Sequence, residues 1–224
     1  MEFSIKDFMD RSFVIVKDAY EFRRFCKRMS EAGFSTMPCK YIGLYPPGLV
    51  QCESKSRPSV FCALSHYALI NMAKTMDWPC VTIFESDAYP MNGCAAKLEK
   101  LFSQNGIPDK ADLITFGNIN FIRQYDNGTM DNCLYDVSHG YGRIRGNIWG
   151  AHAVVVFRKG YDLWLANYLK HDREFHADWF NDLVPNAYST DRSYFIQVKD
   201  RLQYASWIRD KQYLSDFPSY GNLI

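Results

Sequence analysis

The stretch Val81-Thr82-Ile83-Phe84-Glu85-Ser86-Asp87-Ala88-Tyr89-Pro90 decides the fold: a run of β-formers ends abruptly in two carboxylates one residue apart. Side chains alternate along an extended chain, so Glu85 and Asp87 are expected to point the same way at the strand's carboxyl edge. That edge is where open α/β sheets bind ligands. Hard cations such as Mg²⁺ and Mn²⁺ take carboxylate oxygens and bridge to phosphates, so a diphosphate held through a metal is the first functional expectation. A solvated turn is the alternative, since Ser, Asp and Pro are ordinary turn residues.

On either side of this strand the pattern alternates. Phe13-Val14-Ile15-Val16 reads as a strand and residues 18–32 as a helix with Phe22, Phe25, Cys26 and Met29 inward, closed by Gly33. Residues 37–44 form a weaker strand. The spacing predicts helices over 59–76 and 92–104, a strand over 112–117, another over 151–157 and a helix over 161–170. Alternation of this kind implies a mainly parallel sheet covered on both faces, a three-layer α/β sandwich. Residues 118–146 loosen into a stretch rich in Gly, Asn, Asp and Tyr, read as a binding lid or a surface excursion. Residues 176–184 form a short amphipathic segment carrying Asp178 and Asp182.

Composition sets the outer limits. With 224 residues and 47% hydrophobic content, the chain is expected to form one globular domain with a sizeable core. A net charge of +1 gives no electrostatic case for nucleic acid or an anionic membrane. No segment approaches the roughly 18 apolar residues of a membrane span, and the N-terminus lacks a signal-like apolar run, so a cytoplasmic location is expected. Seven cysteines form an odd set without a CxxC pair or a paired Cys/His spacing, which argues against a zinc site or a disulfide framework. They read as small apolar residues in a reducing compartment.

Phe61-Cys62-Ala63-Leu64-Ser65-His66, Glu85-Ser86-Asp87-Ala88, Gly150-Ala151-His152-Ala153 and Phe157-Arg158-Lys159-Gly160 occur in an order that resembles glycosyltransferase family 25, the lipooligosaccharide-biosynthesis galactosyltransferase type. His176-Ala177-Asp178-Trp179 is similar to that family's later Asp-containing element, and the strand at Val16 with Arg23 or Arg24 to its opening segment. The resemblance spans about residues 13–184, leaving 195–224 as a C-terminal extension. It implies a GT-A type, Rossmann-like glycosyltransferase that uses a nucleotide-sugar donor, Mn²⁺ or Mg²⁺, and a glycan acceptor, with inversion. Glu85 and Asp87 would hold the metal, with His176 as an extra ligand. Ser86 stands where the family has Asp, and offers a hydroxyl to a ribose or a water.

The donor site implied by the resemblance takes in Val16, Arg23, Ser65, His66, Glu85, Ser86, Asp87 and His152. Arg143 and Arg145, in the glycine-rich stretch, would clamp phosphate. Asp178 is the preferred base for the acceptor hydroxyl, with a helix N-cap as its other reading and Asp191 in reserve. Two further classes stay open: a non-catalytic nucleotide-sugar or glycan-binding protein, which the altered acid motif allows, and a metal-dependent phosphoesterase.

Overall fold

The computed structural model describes residues 3–43, 57–117, 122–124, 130–132, 134–145, 151–170 and 183–197. In chain order these form α1 (Ile5–Asp10), β1 (Ser12–Val16), α2 (Ala19–Glu31), β2 (Cys39–Ile42), α3 (Arg57–Thr75), β3 (Cys80–Glu85), β4 (Ala88–Pro90), α4 (Cys94–Asn105) and β5 (Leu113–Thr115). β6 (Ile122–Gln124), β7 (Met130–Asn132), β8 (Leu134–Ser138), β9 (Tyr141–Ile144), β10 (Ala153–Phe157), α5 (Arg158–Lys170), β11 (Ala187–Thr190) and β12 (Phe195–Gln197) follow.

Eight strands make one mixed sheet in the order β2-β1-β3-β10-β5-β11-β9-β8. β1 lies parallel to β2 and β3, and β5 parallel to β11. β10 runs against β3 and β5, and β9 against β11 and β8, so six of the eight strands share one direction. The sheet is therefore mostly parallel, consistent with a Rossmann-like arrangement. A second, two-stranded sheet pairs β4 with β12.

Local chemistry explains the turns. β1 passes into α2 through Asp18, whose carboxylate accepts from the N–H groups of Tyr20 and Glu21 at 2.7 and 2.9 Å. Those are first-turn donors with no partner inside the helix. β8 and β9 are joined by His139 and Gly140 with φ of 52° and 80°, the two left-handed positions of a tight hairpin turn. The 118–146 stretch is therefore not wholly a loop: residues 134–138 and 141–144 belong to the main sheet. A register shift between Tyr135 and Ser138, and the exposed residues of β8, erase the alternation that would have marked them as strands.

The core forms two clusters. Phe8 and Met9 of α1, Phe25 and Met29 of α2, and Leu98, Leu101 and Phe102 of α4 pack with Val14, Val16, Phe84, Ile114, Phe116 and Val155. Leu69, Ile70 and Ala73 of α3 and Tyr161, Trp164 and Leu165 of α5 pack with Ile15, Val81, Ile83, Val154 and Val156. Neighbours in sequence thus enter different clusters, as strand alternation requires, and β3 and β10 read as continuous apolar runs because both faces are buried. Among the described residues, no helix is long and apolar enough to cross a membrane.

α5 begins at Arg158, three residues before the expected start, and Gly160 makes that possible. A Cβ there would lie 2.7 Å from the backbone oxygen of Asp112. Alanine for glycine inside a helix ordinarily gains about 1 kcal/mol; at this contact Gly160→Ala is expected instead to cost about 1–3 kcal/mol, as overpacking does. Urea denaturation measures the sign, and a raised midpoint would show that α5 moves away from Asp112 at no cost.

Candidate metal centre

Glu85 closes β3 at the carboxyl edge of the sheet. Its backbone is pinned on both sides, in register with Ile15 of β1 and donating its N–H to His152 O at 3.0 Å. Opposite its side chain, α3 presents Cys62 and His66, four residues apart and so on one helix face. Cys62 Sγ donates to Glu85 Oε1 at 3.1 Å, and His66 Nε2 lies 3.4 Å from the same oxygen. All three ligand atoms fall within 4.8 Å of one another. The His66 side chain is 2% exposed and that of Glu85 19%. His66 Nε2 is buried and, despite the short approach, makes no aligned hydrogen bond.

Burial alone would push the Glu85 carboxyl up. His66 beside it, the Cys62 thiol and the more distant His152 outweigh that and hold it below the usual carboxylate range, so the group is ionised. His152 is fully buried. Desolvation lowers its pKa against the opposing pull of the Phe195 carbonyl and Glu85, leaving a neutral ring. Its Nε2 faces Phe195 O at 3.1 Å, while Nδ1 is buried without a hydrogen-bond partner. A Cβ at residue 117 would meet the His152 ring at 2.2 Å, which is why glycine stands there.

The chain turns at Ser86 and Asp87 before β4 begins, so strand alternation does not carry from Glu85 to Asp87. Glu85 meets Cys62 and His66, and Asp87 is not a member of that group. Arg28 of α2 donates to Ser86 O and lies 4.1 Å from the centre of the Tyr89 ring. Arg23, the expected donor-site arginine, is exposed on the same helix. Val16 ends β1 at the same edge and Ser65 is buried beside His66.

Other expected site residues lie apart. Arg143 donates to Pro185 O at 3.2 Å and to Asn186 Oδ1 at 3.4 Å, just before β11 starts. Both Arg143 and Arg145 lie over Tyr135. That is the amino edge of the parallel strands, opposite Glu85, and the structure does not bring these arginines to it. Asp191 follows β11 at the carboxyl edge and is exposed. Three strand spacings separate β11 from β3, roughly 14 Å. His176 and Asp178 lie outside the described residues.

Cys62 is the residue that sequence reasoning missed. Cys62-x-x-x-His66 is itself a ligand-like spacing on a helix, contrary to the reading that no cysteine is paired with a histidine. Its third member arrives from a strand 19 residues beyond His66, which only the fold discloses.

Fold and site together define an α/β protein with a thiol, an imidazole and a carboxylate gathered at the carboxyl edge of its central strands. No family model and no curated protein matches the chain. Among solved structures, A197 from STIV is similar at 13% identity, covering 82% of this chain and 81% of that one with a TM-score of 0.40. A nucleoside-diphosphate-sugar pyrophosphorylase from Vibrio cholerae RC9 matches at 13% identity over 93% and 86%, TM-score 0.40. HddC from Yersinia pseudotuberculosis matches at 12% over 90% and 79%, TM-score 0.39. Likenesses of this size leave the function to be argued from the site.

The buried neutral His152 ties stability to pH. Its folded value lies below the ordinary 6.5, so on acidification the unfolded chain takes up a proton first. Stability fully present above about pH 6.5 is lost as pH falls, by at most about 1.4 kcal/mol per pH unit. Urea midpoints at pH 7.5 and 5.5 are expected to differ less in His152→Asn than in the native protein; equal differences would assign the acid sensitivity to another group.

Proposed function

We propose that this chain is a nucleotide-sugar-dependent glycosyltransferase of the GT-A type, a three-layer sandwich carrying its donor at the carboxyl edge of β1 and β3. One observation supports the reading best. Three of the segments that carry the family resemblance fall on separate elements, yet meet at Glu85: His66 from α3 at 3.4 Å and the His152 carbonyl at 3.0 Å.

The family implies a hard cation on Glu85. The groups around its carboxylate are a thiol and an imidazole, a donor set poorly matched to Mg²⁺ or Mn²⁺, which favour oxygen. Cys62, His66 and Glu85 therefore do not fit such an ion. What the chain's own residues supply is a fixed negative charge at Glu85 and a cation, Arg28, at the following turn. Proton removal from the acceptor hydroxyl is assigned to Asp178, with Asp191 in reserve. The engagement of Glu85 by Cys62 and His66 favours a second reading, a nucleotide-sugar-binding protein without transferase activity.

Release of nucleoside diphosphate from a panel of nucleotide sugars, UDP-galactose first, separates the readings. The transferase reading expects acceptor-dependent release, cut about 10²-fold or more in Asp178→Asn, the usual scale for losing a general base. Donor binding without release in any acceptor condition would favour the binding protein. Failure to bind any nucleotide sugar would remove both.

A further inference from the structure

We infer that Cys62, His66 and Glu85 bind one zinc-class divalent ion. The inference does not rest on the transferase reading. Three different ligand types converge from two elements, and their spacing already approaches that of a coordination shell. Tetrahedral zinc, with bonds of about 2.3 Å to sulfur and about 2.0–2.1 Å to nitrogen and oxygen, separates its sulfur and oxygen ligands by about 3.5 Å and nitrogen from oxygen by about 3.3 Å. The corresponding separations here are 3.1 and 3.4 Å.

A second observation points the same way. His66 Nε2 is aimed into the cluster, almost wholly buried, and makes no aligned hydrogen bond. Its nearest polar neighbour is Glu85 Oε1 at 3.4 Å, off the line of a good hydrogen bond, so a ligand seated between the two would hold the ring nitrogen better. A metal takes the lone pair. Glu85 Oε1 is the oxygen that both Cys62 Sγ and His66 Nε2 approach, so one carboxylate atom is already placed between the other two ligands. Cys62 is a thiol donating to Glu85 Oε1, so binding replaces its S–H bond with a sulfur–metal bond and releases that proton to solvent.

The donor set also selects the ion. Sulfur and imidazole favour zinc and its neighbours over the hard cations of phosphate chemistry. Three protein ligands leave a fourth tetrahedral position, the arrangement of zinc sites that bind water or substrate rather than of closed structural ones. Cys62 and Glu85 are both partly exposed and His66 is buried, so solvent reaches the cluster on the side of those two ligands.

The test uses the full chain, stripped with a chelator under a thiol-free reductant, with no nucleotide sugar present. Zn²⁺ is expected to bind at one equivalent with release of about one proton, and excess Mg²⁺ or Mn²⁺ is expected not to displace it. Co²⁺ in its place is expected to show tetrahedral visible absorption and a thiolate-to-cobalt charge-transfer band. Cys62→Ser should remove that band and weaken Zn²⁺ at least about a hundredfold, more than an outer-shell loss costs. The exposed Cys39, changed to Ser, should leave both unaltered. Cys62→His is expected to restore Zn²⁺ binding without the thiolate band, which separates ligand loss from misfolding. No tight Zn²⁺ in the native chain, or a Co²⁺ spectrum unchanged in Cys62→Ser, overturns the assignment. Neither result bears on nucleotide-sugar transfer, whose failure in turn leaves the metal result standing.

Discussion

A carboxylate held at the end of a buried strand constrains everything near it. β1 and β10 fix the Glu85 backbone from both sides, so its carboxylate stays mostly buried at the strand end. Burying an ion without partners costs far more than a protein's whole margin of stability. α3 must therefore deliver polar groups at one place while remaining apolar elsewhere. It does so with Cys62 and His66 one turn apart, above Leu69, Ile70 and Ala73, which settle on the sheet.

The same constraint explains why the fold was easier to read than the site. β3, β10 and β1 are largely buried on both faces, so their sequences are nearly continuous apolar runs and were recognisable as strands. α2 carries a capping Asp18 and a clear inward face. β8 escaped because it is an edge strand with a bulge and mostly exposed side chains. β4 and β12 are three residues each, too short for periodicity to register. In the site, Glu85 and the strand edge were visible as such. What extended geometry could not supply was the turn at Ser86 that parts Asp87 from its neighbour, or the helix face that puts Cys62 against Glu85.

Arg143 and Arg145 illustrate the limit from the other side. Their composition and glycine-rich setting suited a phosphate clamp, yet pairing of Tyr188 with Arg143 sends them toward the amino ends of the parallel strands. There Arg143 braces the entry to β11, where Asp112 also holds Asn186. Direction along a strand, which no single residue encodes, decided which edge they serve.

The small β4–β12 sheet sets the order in which this corner assembles. Phe195 pairs with Pro90, its carbonyl receives the His152 ring, and the Tyr194 carbonyl receives Met91 N–H. The β4–β12 contacts join segments about a hundred residues apart and the His152 contact segments 43 apart, so they are high in contact order and expected late in folding. During synthesis the strand carrying Glu85 emerges long before the residues that seal its exit and supply His152 with its acceptor. Until then a nascent chain holds the helix and the acid but not the finished corner, and a strand edge waits unpaired, the kind of surface on which partly made chains stick to one another.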